Sequence, residues 1–186
     1  KISSKVRFFF KKLLPSIFSS GVTQINILIG TIIASFESSA VSYLYYADRV
    51  YQINLAIAGI AVGTVSLPVL AKALKTKNIL SISKIQNRSI ELSLLLSIPA
   101  SLGLILASNQ IINALFGYGS FLEENINMTA MALKYFGYGI PAFALIKVLS
   151  NFFFARDNTK IPFYISSFIV LLNVTISLIF FKEIGF

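Results

Sequence analysis

Residues 50–71 read VYQINLAIAGIAVGTVSLPVLA, an uncharged run bounded by Arg49 and Lys72. A helix rises about 1.5 Å per residue, so this run is long enough to cross the roughly 30 Å hydrocarbon core of a bilayer. It lacks the strict in-and-out alternation that marks transmembrane β-strands. The run therefore predicts a membrane-spanning α-helix.

The rest of the chain repeats this pattern. Hydrophobic residues make up 56% of it and charged residues only 12%, about half the roughly 25% usual for a soluble domain. We predict an all-α integral membrane protein with one transmembrane region and five transmembrane helices. The predicted spans are approximately 13–36, 50–71, 92–107, 128–154 and 161–181.

The loops predict an orientation. Basic residues dominate before the first span, between the second and third, and after the fourth, whereas the other connections lean acidic. Because basic loops stay in the cytoplasm, we expect the N-terminal end inside and the C-terminal end outside. The net charge of +9 is thus a topology signal, so we expect membrane lipids and no nucleic acid as partners. Since the chain starts at Lys1 and stops after an apolar run, we expect a fragment of a longer protein.

Enzyme signals are absent from the sequence. It contains no Cys and no His, which excludes disulfides, zinc thiolate sites and Ser-His triads. The seven acidic residues lie at or beyond the span ends without metal-ligand spacing. We predict no catalytic residue, no metal and no cofactor. Within the fourth span, Gly137, Gly139 and Pro141 interrupt the pattern, which indicates either a harmless kink or a break whose freed backbone groups bond to neighbouring helices or cavity water.

One side of the second span combines polar and small residues. Steps of three or four place five residues along one side of a helix: Arg49, Gln52, Ala56, Gly59 and Gly63. The last two form a GxxxG pair, which lets another backbone come close. Helix packing and a place in a ligand cavity both explain these glycines.

Two cations are the candidate substrate-binding residues, with Gln52 beside the first. Arg49 has a guanidinium suited to bidentate phosphate recognition, although snorkelling to the interface explains it too. Lys147 lies deep in the fourth span with Asn151 on its face, so it either lines a cavity or snorkels. Gln24 and Asn26 of the first span suit interhelical hydrogen bonds or a substrate path.

Three segments resemble one known family. Residues 44–73, LYYADRVYQINLAIAGIAVGTVSLPVLAKA, are similar to the signature segment of the MurJ (MviN) lipid II flippases. Residues 115–121, LFGYGSF, and 153–162, FFARDNTKIP, resemble later motifs of that family in the same order. The resemblance runs along essentially the whole chain.

The resemblance implies a fold and a function. The fold is the multidrug/oligosaccharidyl-lipid/polysaccharide (MOP) exporter type, with fourteen helices in two lobes around a cavity that opens to each side in turn. This chain would supply helices seven to eleven, part of the second lobe, with the N-terminal lobe of the same chain missing. The implied substrate is lipid II, a pyrophosphate-linked peptidoglycan precursor carried from the inner to the outer leaflet. Arg49 falls on a family arginine that is thought to meet the pyrophosphate.

The chain also departs from the family pattern. Gly30 replaces an Asp that in some members forms a cation site with polar groups of the eleventh helix, so a sodium site stays open. Other departures lie inside the matched motifs: Asn54, Ala56, Val69, Asn158 and Ile161 replace the usual Pro, Gly, Arg, Asp and Thr.

Other functions remain compatible with these residues. The nearest is another MOP exporter, such as an O-antigen or polysaccharide flippase or a drug/cation antiporter. A membrane enzyme acting on prenyl-phosphate lipids belongs to another class and would show acidic or His clusters at a loop. A structural subunit without substrate would tolerate loss of Arg49.

Overall fold

The computed structural model describes residues 24–184, and every regular element in that range is helical. In chain order the elements are α1 (Gln24–Ala34), α2 (Ala40–Leu55), a π-helical segment (Ala56–Ala61), α3 (Val62–Lys75), α4 (Ile79–Phe116), α5 (Glu123–Ala155) and α6 (Lys160–Ile184). The all-α prediction is confirmed.

Four helices of the described part are long and apolar enough to cross a membrane. The first is continuous over Ala40–Lys75 and the others are α4, α5 and α6. They contain the predicted spans 50–71, 92–107, 128–154 and 161–181 but extend beyond them, since the polar ends of a span are helical as well. Of the predicted span 13–36, residues 13–23 lie outside the described residues.

The predicted end of the third span coincides with a kink. Ala107 has non-helical angles, φ −114° and ψ 16°. Helix α4 nevertheless runs on to Phe116, where Gly117 follows as the C-cap. The apolar run therefore ends at a kink inside a longer helix.

Helix α5 is continuous through Gly137, Gly139 and Pro141, so these residues do not break the fourth span. A proline has no backbone N–H, so Pro141 leaves the carbonyl of Gly137 without its intrahelical partner. The Ser101 hydroxyl of α4 donates to that carbonyl at 2.7 Å. A neighbouring helix thus satisfies the group that the proline freed.

Residues 42–156 form one packed unit built from α2, the π segment, α3, α4 and α5. Tyr43 donates to Asn125 near one end of α5, and Gly59 lies against Ala144 nearer the other, so α2–α3 runs parallel to α5. Two apolar clusters form its core: Ala47, Val50, Tyr51, Leu104, Ile112, Ala130, Leu133 and Ile140, then Leu70, Val148 and Phe152.

The second unit comprises the described residues 24–41 and 157–184, which include α1 and α6. Large apolar side chains of α6, such as Tyr164, Phe168 and Leu171, are exposed. A helix with this surface is suited to lipid or to a further apolar neighbour rather than to water.

Buried serines recur at every fourth position along α4: Ser89, Ser93, Ser97 and Ser101. Small side chains let transmembrane backbones approach, and their hydroxyls bond across helices. Ser93 donates to the carbonyl of Ala58, inside the π segment, at 2.9 Å. The serines therefore bond α4 to the π segment and to the carbonyl of α5 that Pro141 leaves free.

We expect Ser101→Ala to destabilise the protein by about 1 kcal/mol, since hydrogen bonds between transmembrane helices average about 0.6 and reach about 1.7 kcal/mol. The readout is thermal unfolding of the purified full-length protein in detergent. Pro141→Ala restores an N–H that can bond to Gly137 within α5. The cost of Ser101→Ala should therefore fall in the Pro141→Ala background. An equal cost in both backgrounds would contradict this account of the Gly137 carbonyl.

The two ends of this unit differ in charge. The end where α3 turns into α4 carries Lys72, Lys75, Lys77, Lys84 and Arg88. With its amide oxygen turned toward Arg156, Gln86 accepts from both guanidinium Nη atoms at 3.1 and 3.2 Å, so Arg156 lies at that end too. At the opposite end, α5 begins with Glu123 and Glu124.

Candidate functional site

Four polar side chains lie together on α2. The Arg49 guanidinium donates through Nη2 to the Tyr45 hydroxyl at 3.0 Å, and its Cζ lies 4.6 Å from the centroid of the Tyr45 ring. One turn along, the Gln52 amide donates to the Asp48 carboxylate. Both pairs are four residues apart, the spacing at which helical side chains meet. We call Tyr45, Asp48, Arg49 and Gln52 the polar strip.

The polar strip faces away from the packed core. Arg49 and Gln52 are exposed, whereas Ala47, Val50 and Tyr51 on the other side of α2 are buried. Charged groups inside a membrane are too costly to leave against lipid, so they face water-filled cavities or other protein segments. The exposure of the strip fits both interpretations of Arg49, a place in an aqueous cavity and snorkelling to the interface.

The five residues predicted to share one face are divided by the π segment. Arg49, Gln52 and Ala56 are exposed, whereas Gly59 and Gly63 are buried. A π-helical turn adds one residue to the helix. At 3.6 residues per turn, one extra residue turns everything beyond it by about 100°. The predicted single face is corrected to two, one exposed and polar, the other buried and small.

The two glycines form the contact with α5. A Cβ at Gly59 would lie 3.0 Å from the Cα of Ala144, closer than side chains normally come. A Cβ at Gly63 would overlap the amide of Asn151 and lie 3.7 Å from the carbonyl oxygen of Lys147. In this unit Gly59, Gly63 and Asn151 pack helices together. No such contact is made by Ala56, which is exposed.

Lys147 and Arg49 lie at different depths. Both side chains are exposed. Since the Lys147 carbonyl lies beside Gly63, Lys147 is level with a residue fourteen positions beyond Arg49. At about 1.5 Å per residue the two cations are roughly 20 Å apart along the helix axis. This separation is between backbone positions, several helical turns apart.

The remaining polar candidates belong to the other unit. In α1, Gln24 is exposed and Asn26 half-buried. In α6, the Ser177 hydroxyl donates to the Asn173 amide oxygen at 3.2 Å, within one turn of the helix. Around Gly30, nothing lies within 4 Å of an added Cβ. Among residues 24–184, no three His, Cys, Asp or Glu side chains group as metal ligands.

Sequence reasoning missed the structural role of the buried serines. Their four-residue spacing is visible in the sequence and is typical of a small-residue packing stripe. Which carbonyls they reach depends on the π segment and on Pro141 of other helices, and the spacing alone carries no information about those.

Four long, apolar helices among the described residues define a polytopic membrane protein. Comparison with known proteins agrees. The family model described as lipid II flippase MurJ matches residues 1–186, so the chain belongs to the MurJ lipid II flippase family.

Three relatives give the scale of the match. A probable lipid II flippase MurJ of Rhizobium tropici is 44% identical over 92% of this chain and 32% of its own length. That of Rickettsia prowazekii (strain Madrid E) is 41% identical over 94% and 36%. The lipid II flippase MurJ of Burkholderia cenocepacia is 32% identical over 94% and 34%. The chain thus spans about a third of the curated relatives that it matches.

Proposed function

We propose that this chain is part of a lipid II flippase that carries the precursor from the inner to the outer leaflet of the bacterial cytoplasmic membrane, and that it is a transporter rather than an enzyme. Membership in the family, and the names that the relatives carry, support this substrate. The observation that carries the proposal is the exposed guanidinium of Arg49 on a membrane-spanning helix, turned away from the packed core.

Arg49 is the proposed contact for the pyrophosphate. A guanidinium carries five N–H donors in a fixed fork that matches phosphate oxygens two at a time. The Tyr45 hydroxyl accepts one of these hydrogen bonds, and the Tyr45 ring makes a cation–π contact with the guanidinium. The Gln52 amide donates to the Asp48 carboxylate. This hydrogen bond partly offsets the negative charge of Asp48, which would otherwise repel the substrate. Tyr45 thus positions the arginine, and Gln52 acts on the carboxylate beside it.

Lys147 is the proposed second contact, at another stage of transport. The two cations lie roughly 20 Å apart along the helix axis at about 1.5 Å per residue. A pyrophosphate that moves along the bilayer normal would meet them in succession. Alternating access, in which one lobe rocks against the other around the cavity, would expose the levels in turn. The polar strip would face the N-terminal lobe of the same protein across that cavity.

The proposed orientation places the α3–α4 turn in the cytoplasm. Lysines and arginines gather at that end of the unit, together with Arg156, and the acidic start of α5 lies at the other end. Basic ends of spans remain inside. Arg49 would therefore lie in the outer half of the bilayer and Lys147 in the inner half.

The test uses the full-length protein in cells depleted of their own lipid II flippase. We expect it to restore survival and to restore lipid II exposed on the outer leaflet, measured by labelling from outside. A well-expressed protein that restores neither would overturn lipid II as the substrate and would favour another exporter of the MOP superfamily. Accumulation of a modified prenyl-phosphate lipid instead would indicate the membrane enzyme.

A further inference from the structure

A long groove lies between α3 and α4, separate from the polar strip. Its volume is about 1190 Å³, and its walls belong to the π segment, α3 and α4. Pockets for drug-sized molecules measure about 300–1,000 Å³, so this groove is large for a small polar ligand. Much of its lining is apolar, with Ile57 and Val65 on one side and Leu92 and Leu96 on the other.

The groove is as long as one leaflet of a bilayer is thick. From Ile57 to Val69, twelve residues of helix at about 1.5 Å each give about 18 Å. Half of a roughly 30 Å hydrocarbon core is about 15 Å. In the proposed orientation, the groove would run from the basic end of the unit to about the middle of the membrane, a length that can take part of an acyl chain.

Cations line the half of the groove nearer the basic end of the unit. Lys84 and Arg88 belong to its wall, one helical turn apart on α4. Lys72 lies three residues after Val69, on the same face of α3. Glu91 pairs with Arg88 at 3.1 Å, but both side chains are about two-thirds exposed, and exposed pairs of this kind are weak. Three cations against one carboxylate leave this end positive.

We propose that the groove binds an anionic phospholipid of the cytoplasmic leaflet, with its acyl chains between α3 and α4 and its phosphate at Lys84 and Arg88. Basic pockets between transmembrane helices on the cytoplasmic side recognise anionic headgroups. A purely apolar occupant would leave the cations unmatched, whereas a phospholipid satisfies the apolar wall and the charged end together. The leaflet follows from the proposed orientation; the site itself does not depend on the transported substrate.

Lipid binding to the purified full-length protein tests the proposal. The protein is equilibrated in detergent with phosphatidylglycerol or with phosphatidylcholine of the same acyl chains, and bound lipid is counted by native mass spectrometry. We expect phosphatidylglycerol to be preferred. In the variant Lys84→Gln/Arg88→Gln that preference should fall roughly fivefold per cation removed. The matched control is Lys160→Gln, an exposed lysine outside the groove, which should leave the preference unchanged.

A second variant tests the apolar wall. Val65 is 71% exposed in the groove, so the larger side chain of Val65→Trp should obstruct it and displace both lipids. Val69→Trp, one turn nearer the basic end, replaces it if Val65→Trp does not fold. Leu106→Trp, on a 78% exposed residue of α4 outside the groove, is the control. Equal binding of the two lipids by the parent, full preference in the charge variant, or unchanged binding in the tryptophan variants would each overturn the proposal. The last result would indicate that protein covers the groove.

Discussion

Replacing Arg49 by Ala is expected to reduce lipid II transport by about tenfold to a hundredfold while leaving the protein folded. The side chain is exposed and contacts only its helical neighbour Tyr45 among the contacts described for it, so its removal opens no cavity in the core. A hydrogen bond to a charged group contributes about 1.5–3 kcal/mol, and 1.4 kcal/mol corresponds to a factor of ten. The measurement is lipid II exposed on the outer leaflet at matched expression.

Two further variants separate charge from shape. Arg49→Lys keeps the charge but loses the bidentate fork, so transport should lie between that of the parent and that of Arg49→Ala. Lys134→Ala removes another exposed cation of the same unit, on α5, and should transport normally. Full transport by Arg49→Ala would remove Arg49 from the substrate site but leave the flippase assignment standing.

Gly59→Leu is expected to destabilise the folded protein by about 1–3 kcal/mol or more, the usual cost of overpacking. Even a single Cβ at this position would lie 3.0 Å from the Cα of Ala144, which is backbone and cannot swing aside. Helix α5 would have to move away from the π segment. The measurement is the midpoint of thermal unfolding of the full-length protein in detergent. The fraction of the protein that stays monodisperse is measured as well.

Gly103→Leu is the matched control for this variant. Gly103 lies inside α4 and is exposed, and nothing lies within 4 Å of a Cβ added there. Leucine also has the higher helix propensity, so no loss of stability is expected. If both variants unfold at the same temperature, the close approach at Gly59 does not support the fold.

The membrane class could be predicted from sequence because charge-free runs leave few alternatives. Residues 50–71 and 161–181 lie inside helices for that reason. Arg49 also stood out, because a cation beside such a run requires an explanation in any membrane protein. Its exposure follows from the packed side of α2, which Ala47 and Val50 define.

The backbone irregularities could not be predicted from local sequence. The π segment reads AIAGIA, and these small and aliphatic residues suit an ordinary α-helix equally well. Its carbonyl at Ala58 is satisfied by Ser93 of another helix. Likewise, Pro141 is tolerated because Ser101 reaches Gly137 from α4. Each feature is accompanied by a contact between residues more than thirty positions apart, which neither periodicity nor propensity reports.

The π segment also constrains how the gene can change. Deleting one codon within residues 56–61 would convert the segment to regular α-helix and rotate Arg49 by about 100° relative to Gly63. The arginine would turn from the exposed side of α2, or the glycines would turn away from α5. Point substitutions can accumulate along this helix. The number of residues between Arg49 and Gly63 should stay constant, because it sets the orientation of the exposed polar side relative to the side packed on α5. Relatives should therefore differ in residue type along this stretch but show no insertions or deletions.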